Sequence, residues 1–211
     1  MTRMKPLLYL IGLLFTCSLH AQQPKTGPNF NFHTPAEWRG EVIQLPPGFA
    51  PTLAWKGVEN IRFAPGMFKP ETEDFFSYLL VFLLDKDADA SDAAMSKQVL
   101  TYYQGLAQAV AGRKMPDLDT STFKLKLDTP SGDPLDPPAG SKGKDTTFWT
   151  GTLDWIEPFA TRKAQTLHFE VHRWQHGEQT ALYFTVSPQK PDHTIWETMR
   201  KLRAKFTFEE K

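Results

Sequence analysis

A ten-residue run without a charged side chain, Phe75–Leu84, constrains the fold of this 211-residue chain more than any other segment. It reads Phe-Phe-Ser-Tyr-Leu-Leu-Val-Phe-Leu-Leu, is rich in aromatic residues, and has no polar stripe at helical spacing. These features favour a strand over the rival helix, and a strand that is apolar on both faces is normally central and covered on both sides. The run therefore predicts a sheet with packing elements above and below it.

Two other segments have the pattern of amphipathic helices. In Ser91–Ala111, apolar residues recur at helical spacing, Ser91 can cap the N-terminus and Gly112 fits the position after the last turn. The second helix is predicted to begin near Thr194, which forms a capping box with Glu197. Basic residues crowd its last turns, as the helix dipole favours, and they include Arg200 and Arg203.

Further strands are predicted wherever apolar and polar residues alternate, and two of them are joined by a hairpin at His176-Gly177-Glu178. Together with two helices, they predict an α+β fold in which an antiparallel sheet of about five to seven strands is packed by both helices. The order of elements is similar to that of PsbP-like folds, which implies an α/β sandwich and, being a likeness of order alone, no function. The predicted strands are 39–45, 75–84, 121–127, 147–156, 167–175 and 181–187, with 60–64 as a further candidate.

The N-terminus has the three parts of an export signal. Arg3 and Lys5 precede the apolar run Leu7–Phe15, and a more polar stretch follows to Ala21. The run is too short to span a bilayer, so residues 1–21 are predicted to be a signal peptide that is removed after Ala21. The protein is then expected to be exported to the periplasm or the extracellular space of a bacterial-type cell.

The mature chain is expected to consist of a flexible, polar and Pro-rich leader at residues 22–37 and a single globular domain at 38–211. Cys17, the one cysteine of the chain, lies within the signal segment. As an alternative it could anchor a lipoprotein, although Phe15 and Thr16 match the bacterial lipobox poorly. If cleavage follows Ala21, the mature protein has no disulfide in a compartment that permits one.

Charge and hydropathy exclude two classes of partner. Without Arg3 and Lys5, 22 basic residues face 24 acidic ones, so the mature chain has no basic excess for nucleic acid. The mature chain has no second apolar segment, so no transmembrane span is predicted in it. The aromatic residues, 16 Phe, 6 Trp and 5 Tyr, favour core packing, with a stacking surface for sugars or peptides as the alternative.

One strand carries a pattern that resembles a chemical site. His168, Glu170 and His172 lie on one face of the predicted strand, and His and carboxylate groups are ligands of borderline metals. Because the two histidines are about 13 Å apart on an extended strand, one ion cannot easily hold both. Glu170 and either histidine could chelate a divalent metal if a neighbouring strand added Asp154 or Tyr183. No other cofactor is indicated.

The same five residues are also candidates for catalysis, with a carboxylate and an imidazole as base and orienting group. A solvated sheet face is the alternative interpretation, since alternation of polar and apolar residues is typical of a half-exposed strand. The chain has no nucleophile elbow and no His-Glu-x-x-His sequence. We therefore expect a non-catalytic binding or accessory protein of the cell envelope, with an unspecified envelope partner or small ligand. An envelope hydrolase or metal-dependent enzyme is the alternative.

Overall fold

The apolar run at Phe75–Leu84 forms a central strand in the computed structural model, which describes residues 29–130 and 135–209. The predicted signal peptide with Cys17, and residues 22–28 of the predicted leader, lie outside the described residues. Nine strands and two α-helices are described: β1 (Asn29–Asn31), β2 (Gly40–Leu45), β3 (Gly57–Phe63), β4 (Tyr78–Leu84), α1 (Asp92–Ala111), β5 (Lys124–Asp128), β6 (Thr146–Ile156), β7 (Ala164–His176), β8 (Gln179–Ser187), α2 (Thr194–Arg203) and β9 (Thr207–Glu209).

Seven strands form one sheet in the order β2-β3-β4-β8-β7-β6-β5, and every neighbouring pair is antiparallel. The remaining two strands, β1 and β9, pair with each other. The α+β class, the antiparallel sheet and the two packing helices are therefore confirmed. The hairpin between β7 and β8 is also present, with Gly177 at a φ of 61° in its turn.

The two helices cover opposite faces of this sheet. Alternate β4 residues, including Leu80 and Phe82, pack with α1, whereas Leu79, Val81 and Leu83 pack with α2. All seven residues of β4 are buried, because packing on both faces removes their apolar side chains from contact with water. Within the described part of the chain, neither helix combines the length and the apolar character that crossing a membrane requires.

The helix ends follow the predicted chemistry at α1 and differ from it at α2. The Ser91 hydroxyl accepts a hydrogen bond from the Ala94 amide, as predicted for an N-cap. In α2 the N-cap is His193, whose Nδ1 accepts a hydrogen bond from the Ile195 amide. The predicted capping box of Thr194 and Glu197 is wrong, because the extended backbone that a cap requires occurs one residue earlier.

The predicted flexible leader is wrong for residues 29–32, which are attached to the domain. Here β1 pairs with β9, and the Phe32 side chain is 3% exposed. Its ring packs on Tyr183 and Phe206, at centroid distances of 5.9 and 5.0 Å. The average polarity of the segment concealed these apolar anchors, which attach the N-terminal strand to the α2 face.

Candidate functional site

A pocket of about 150 Å³ opens on the α1 face, beside the sheet edge that β2 and β3 form. Its wall comes from β2, β3, β4, α1, the connections on either side of β3 and the turn between β6 and β7. Most of the lining side chains are aromatic or aliphatic, and two are carboxylic acids. They are Glu41, Ile43, Phe49, Glu59, Ile61, Phe63, Met67, Phe68, Phe76, Tyr78, Tyr102, Leu106 and Phe159.

Glu59 is the buried carboxylic acid of this pocket. Its exposed fraction is 0%, and its Oε1 accepts a hydrogen bond of 2.8 Å from the Tyr102 hydroxyl. The other oxygen, Oε2, has no hydrogen-bond partner among the described residues. A buried polar atom without a partner is costly, so each one calls for an explanation such as a ligand or an ordered water.

Burial raises the pKa of Glu59 from 4.5 to about 8. The hydrogen bond from Tyr102 opposes this increase, and the negative charge of Glu41 adds to it. Glu59 is therefore mostly protonated at neutral pH. Since Oε1 accepts from Tyr102, Oε2 is the atom left to bear the proton or to meet a ligand.

A capped turn fixes Phe159 in the wall. The buried Glu157 carboxylate accepts hydrogen bonds from the amides of Phe159, Ala160 and Thr161, at 2.5, 3.1 and 2.6 Å. The Thr161 hydroxyl donates to the same carboxylate at 2.8 Å. Because four donors hold Glu157, this carboxyl serves to shape the turn and leaves Phe159 in a defined position.

The connection between β3 and β4 forms another part of the wall. Asp74 accepts a hydrogen bond of 2.8 Å from the Gly66 amide, which ties together the ends of the segment that carries Met67 and Phe68. Phe76 is 1% exposed and has a φ of 50°, a left-handed conformation that bulky residues rarely adopt. Such conformations are concentrated at functional sites, where the surrounding structure holds them.

The predicted histidine strand is β7, and it lies between β6 and β8 as expected. Phe169 and Val171 pack on the α1 face, whereas Trp174 packs on the α2 face. Strand alternation therefore places His168, Glu170 and His172 on the α2 face as well. That face is covered, because α2 and the segment at 135–136 lie over Glu170 and His172.

Two arginines of α2 bind Glu170, which is 3% exposed. Arg200 donates to Oε1 through Nη2 at 2.5 Å, and Arg203 donates to Oε2 through Nη1 at 2.6 Å. Arg203 is fully buried and also donates to the Thr185 hydroxyl and the Leu135 carbonyl. Burial alone would raise the pKa of Glu170, but the hydrogen bond from Arg200 and the charge of Arg203 outweigh it and lower the pKa.

His172 and Tyr183 are register neighbours on β7 and β8, and both are fully buried. His172 Nε2 lies 3.2 Å from the Leu135 carbonyl, while Nδ1 has no partner in the described part of the chain. Burial and the positive charge of Arg203 lower the pKa of His172 to about 3. Burial raises the pKa of Tyr183, whose hydroxyl also has no partner among the described residues.

Asp154 and His168 lie at a more open end of the same face. Asp154 is exposed and accepts a hydrogen bond of 2.6 Å from the Thr166 hydroxyl. His168 is half-buried, and burial and Lys190 lower its pKa against the opposing charge of Asp154. Across residues 29–130 and 135–209, no three His, Cys, Asp or Glu side chains are arranged to hold a metal ion. Within that part of the chain, Glu170 therefore does not join a histidine and Asp154 in a metal-binding cluster.

Glu59, the fully buried acid of the pocket, was not identified from the sequence. The segment from Gly57 to Phe63 alternates, with Glu59, Ile61 and Phe63 on one face and Val58 and Asn60 on the other. That alternation is a signal for a strand, and it places an acid on the apolar face. Only the packing of α1 on this face, through Tyr102, shows that the acid is buried.

No protein-family model matches the chain, and no curated protein matches it. Among solved structures, the chain is similar to the Ran-binding protein Mog1p of Saccharomyces cerevisiae, at 12% sequence identity and a TM-score of 0.30. The match covers 79% of this chain and 87% of that protein. At this TM-score, the likeness supports no inference about function.

Proposed function

We propose that this protein is a non-catalytic binding domain that holds a small ligand in the Glu59 pocket. One observation carries the proposal: a fully buried carboxyl lines an apolar pocket, and its Oε2 has no partner among residues 29–130 and 135–209. Binding sites for small molecules are concave and mostly apolar, with a few polar groups that orient the ligand. The pocket has this composition, and its rim reaches the surface at Phe68, which is 55% exposed.

The proposal includes a place of action outside the cytoplasm, in the periplasm or the extracellular space. It rests on the predicted signal peptide at residues 1–21, with anchoring at Cys17 as the alternative route to the envelope. In that setting, the ligand is a small molecule of the cell envelope or its surroundings.

The enzyme alternative requires a carboxylate that is free to act as a base or a ligand. Glu170 accepts hydrogen bonds from both Arg200 and Arg203, which favours a structural role for it. We therefore propose that Glu170 attaches α2 to the sheet, and that the ligand site lies on the opposite face.

Dimethylbutanol, an uncharged branched alcohol, tests the binding proposal because its apolar body suits an aromatic wall and its hydroxyl can meet Glu59. We expect saturable shifts in the NMR signals of the Ile43, Ile61 and Met67 methyl groups, with a Kd in the millimolar range, about −4 kcal/mol. Leu106→Trp should abolish these shifts, since Leu106 lines the pocket.

Leu100→Trp is the matched control for this variant. Leu100 is also a half-buried leucine of α1 that packs on the same core, but it does not line the pocket. Binding that persists in Leu100→Trp and is lost in Leu106→Trp supports the proposal. Absence of saturable binding to the wild type, or equal binding to all three proteins, overturns it.

A further inference from the structure

The Glu59 pocket combines aromatic rings with acid groups. Seven of its lining residues are Phe or Tyr, two are Glu, and none of the described lining residues is Lys, Arg or His. Aromatic faces attract cations through their quadrupoles, and cages of aromatic rings are a known way to bind quaternary ammonium groups. We propose, on the basis of the binding function above, that the ligand is a small organic ammonium ion whose charged head contacts Glu59 Oε2.

The charges around Glu59 favour a cation from every side. Tyr102 of α1 donates to Oε1, and Glu41 of β2 adds a second negative charge near the carboxyl. On β4, Tyr78 hydrogen-bonds to the hydroxyl of Tyr103 of α1, and both phenols are neutral at physiological pH because burial raises their pKa values. No guanidinium or ammonium group of the described pocket wall therefore neutralises Glu59.

The basic residue of β3 turns away from the pocket. Arg62 lies on β3, three residues after Glu59, and therefore on the other face of the strand. Its guanidinium carbon lies 5.0 Å from the centre of the Phe32 ring, in the core that α2 covers. The chain thus places its own cation–aromatic contact on the α2 face, and the described pocket wall supplies no such cation beside Glu59.

The size of the pocket limits the head group. An apolar cavity of about 150 Å³ accommodates a benzene molecule. The Glu59 pocket has a similar volume, so it suits a trimethylammonium group or a short alkylamine rather than a large polycation. A longer tail on the ligand can leave through the rim beside Phe68, which is partly exposed.

Binding of a cation must ionise Glu59, so the affinity for the cation should depend on pH. Burial raises the pKa of Glu59 to about 8, so the carboxyl loses its proton when an ammonium ion binds at neutral pH. The Kd for the cation should therefore fall on the order of tenfold for each unit of rising pH below pH 8, and level off above it.

Choline and dimethylbutanol provide a matched pair of probes, because dimethylbutanol is the uncharged carbon analogue of choline. We expect the wild type at pH 8 to bind choline at least about tenfold more tightly than dimethylbutanol, the advantage of a desolvated cation–aromatic and ion contact. Glu59→Gln should bring the Kd of choline to that of dimethylbutanol. The pH dependence is measured on the wild-type protein, so it does not depend on the folding of a variant.

The outcomes separate this inference from the proposed function. A preference for choline that rises with pH and disappears in Glu59→Gln supports the ammonium site. Binding of dimethylbutanol without a preference for choline, or a choline Kd that does not change between pH 6 and 8, overturns the ammonium site and leaves a pocket for neutral ligands. Failure of the wild type to bind either probe overturns both proposals.

Discussion

Glu59 and Glu170 are buried carboxyls on opposite faces of one sheet, and their pKa values are shifted in opposite directions. On the α2 face, two arginines bind Glu170, and together they lower its pKa despite its burial. On the α1 face, Glu59 has one phenol as its partner, and burial raises its pKa to about 8. The comparison shows that the partners a helix supplies, rather than burial alone, decide which form of a carboxyl is stable.

The difference also distinguishes the roles of the two helices. The last turns of α2 supply guanidinium groups, so its face is closed by ion pairs and carbonyl contacts around Arg203. In contrast, α1 supplies Tyr102 and Leu106 to a face that is left partly open at the sheet edge. One face therefore serves to attach a helix, and the other is suited to receive a ligand.

The largest effect is expected when Glu170 loses its charge. Glu170→Gln leaves the fully buried Arg203 without its carboxylate, and removal of one partner from a buried pair costs about 3–5 kcal/mol of unfolding free energy. Denaturant unfolding at pH 7 measures this loss, which appears as a lower midpoint at an unchanged slope.

Asp128→Asn is the control for that measurement. Asp128 forms an ion pair of 2.9 Å with Lys126, but both side chains are exposed, so the change should cost less than about 1 kcal/mol. If Glu170→Gln were as mild as Asp128→Asn, the buried ion pairs would not attach α2, and the contrast between the two faces would fail.

Glu59→Gln should have a second, pH-dependent effect. The folded-state pKa of Glu59, about 8, is above its ordinary value of 4.5, so between these values the folded protein binds a proton that the unfolded chain does not. Stability of the wild type therefore falls as pH rises through this window, by roughly 1 kcal/mol per pH unit from this residue, whereas the amide does not titrate.

Unfolding free energies of both proteins at several pH values from 5 to 8 test this effect. The difference should move in favour of Glu59→Gln by about 3 kcal/mol across the range. Because all other titrating groups are shared, they cancel in the difference. Parallel stability curves would mean that Glu59 is already ionised in the folded protein, and the contrast with Glu170 would then be lost.

The elements of the fold could be predicted because their signals are local. The both-sided apolar pattern of β4 predicts a sheet covered by two layers, and the alternation in β7 places Glu170 on the face opposite Phe169. The partners of these residues were not predictable in the same way. From the sequence, Arg203 was only one of several basic residues near a helix end, yet it is buried against a carboxylate 33 residues away in sequence.

The ligand pocket was even harder to predict from the sequence than these partners. Its wall joins β2, β3, α1 and the turn at Phe159, which no periodicity brings together. The histidines of β7 stood out in the sequence because of residue type, but His172 lies in a closed layer with a pKa lowered to about 3. Glu59 has no distinctive neighbours in sequence, and its chemistry arises from the tertiary contacts that remove water around it.

The smallest effect is expected from Tyr102→Phe, which removes the hydrogen bond that Glu59 Oε1 accepts from the Tyr102 hydroxyl. Stability should fall by about 1 kcal/mol, and the pKa of Glu59 should rise further, since that hydrogen bond now lowers it. A titration of the Glu59 carboxyl carbon by NMR measures the change. Tyr103→Phe removes a hydroxyl bonded to Tyr78 instead, so it should leave the Glu59 midpoint in place. An equal shift in both variants would show that the aromatic wall as a whole, and not this hydrogen bond, sets the protonation of the pocket.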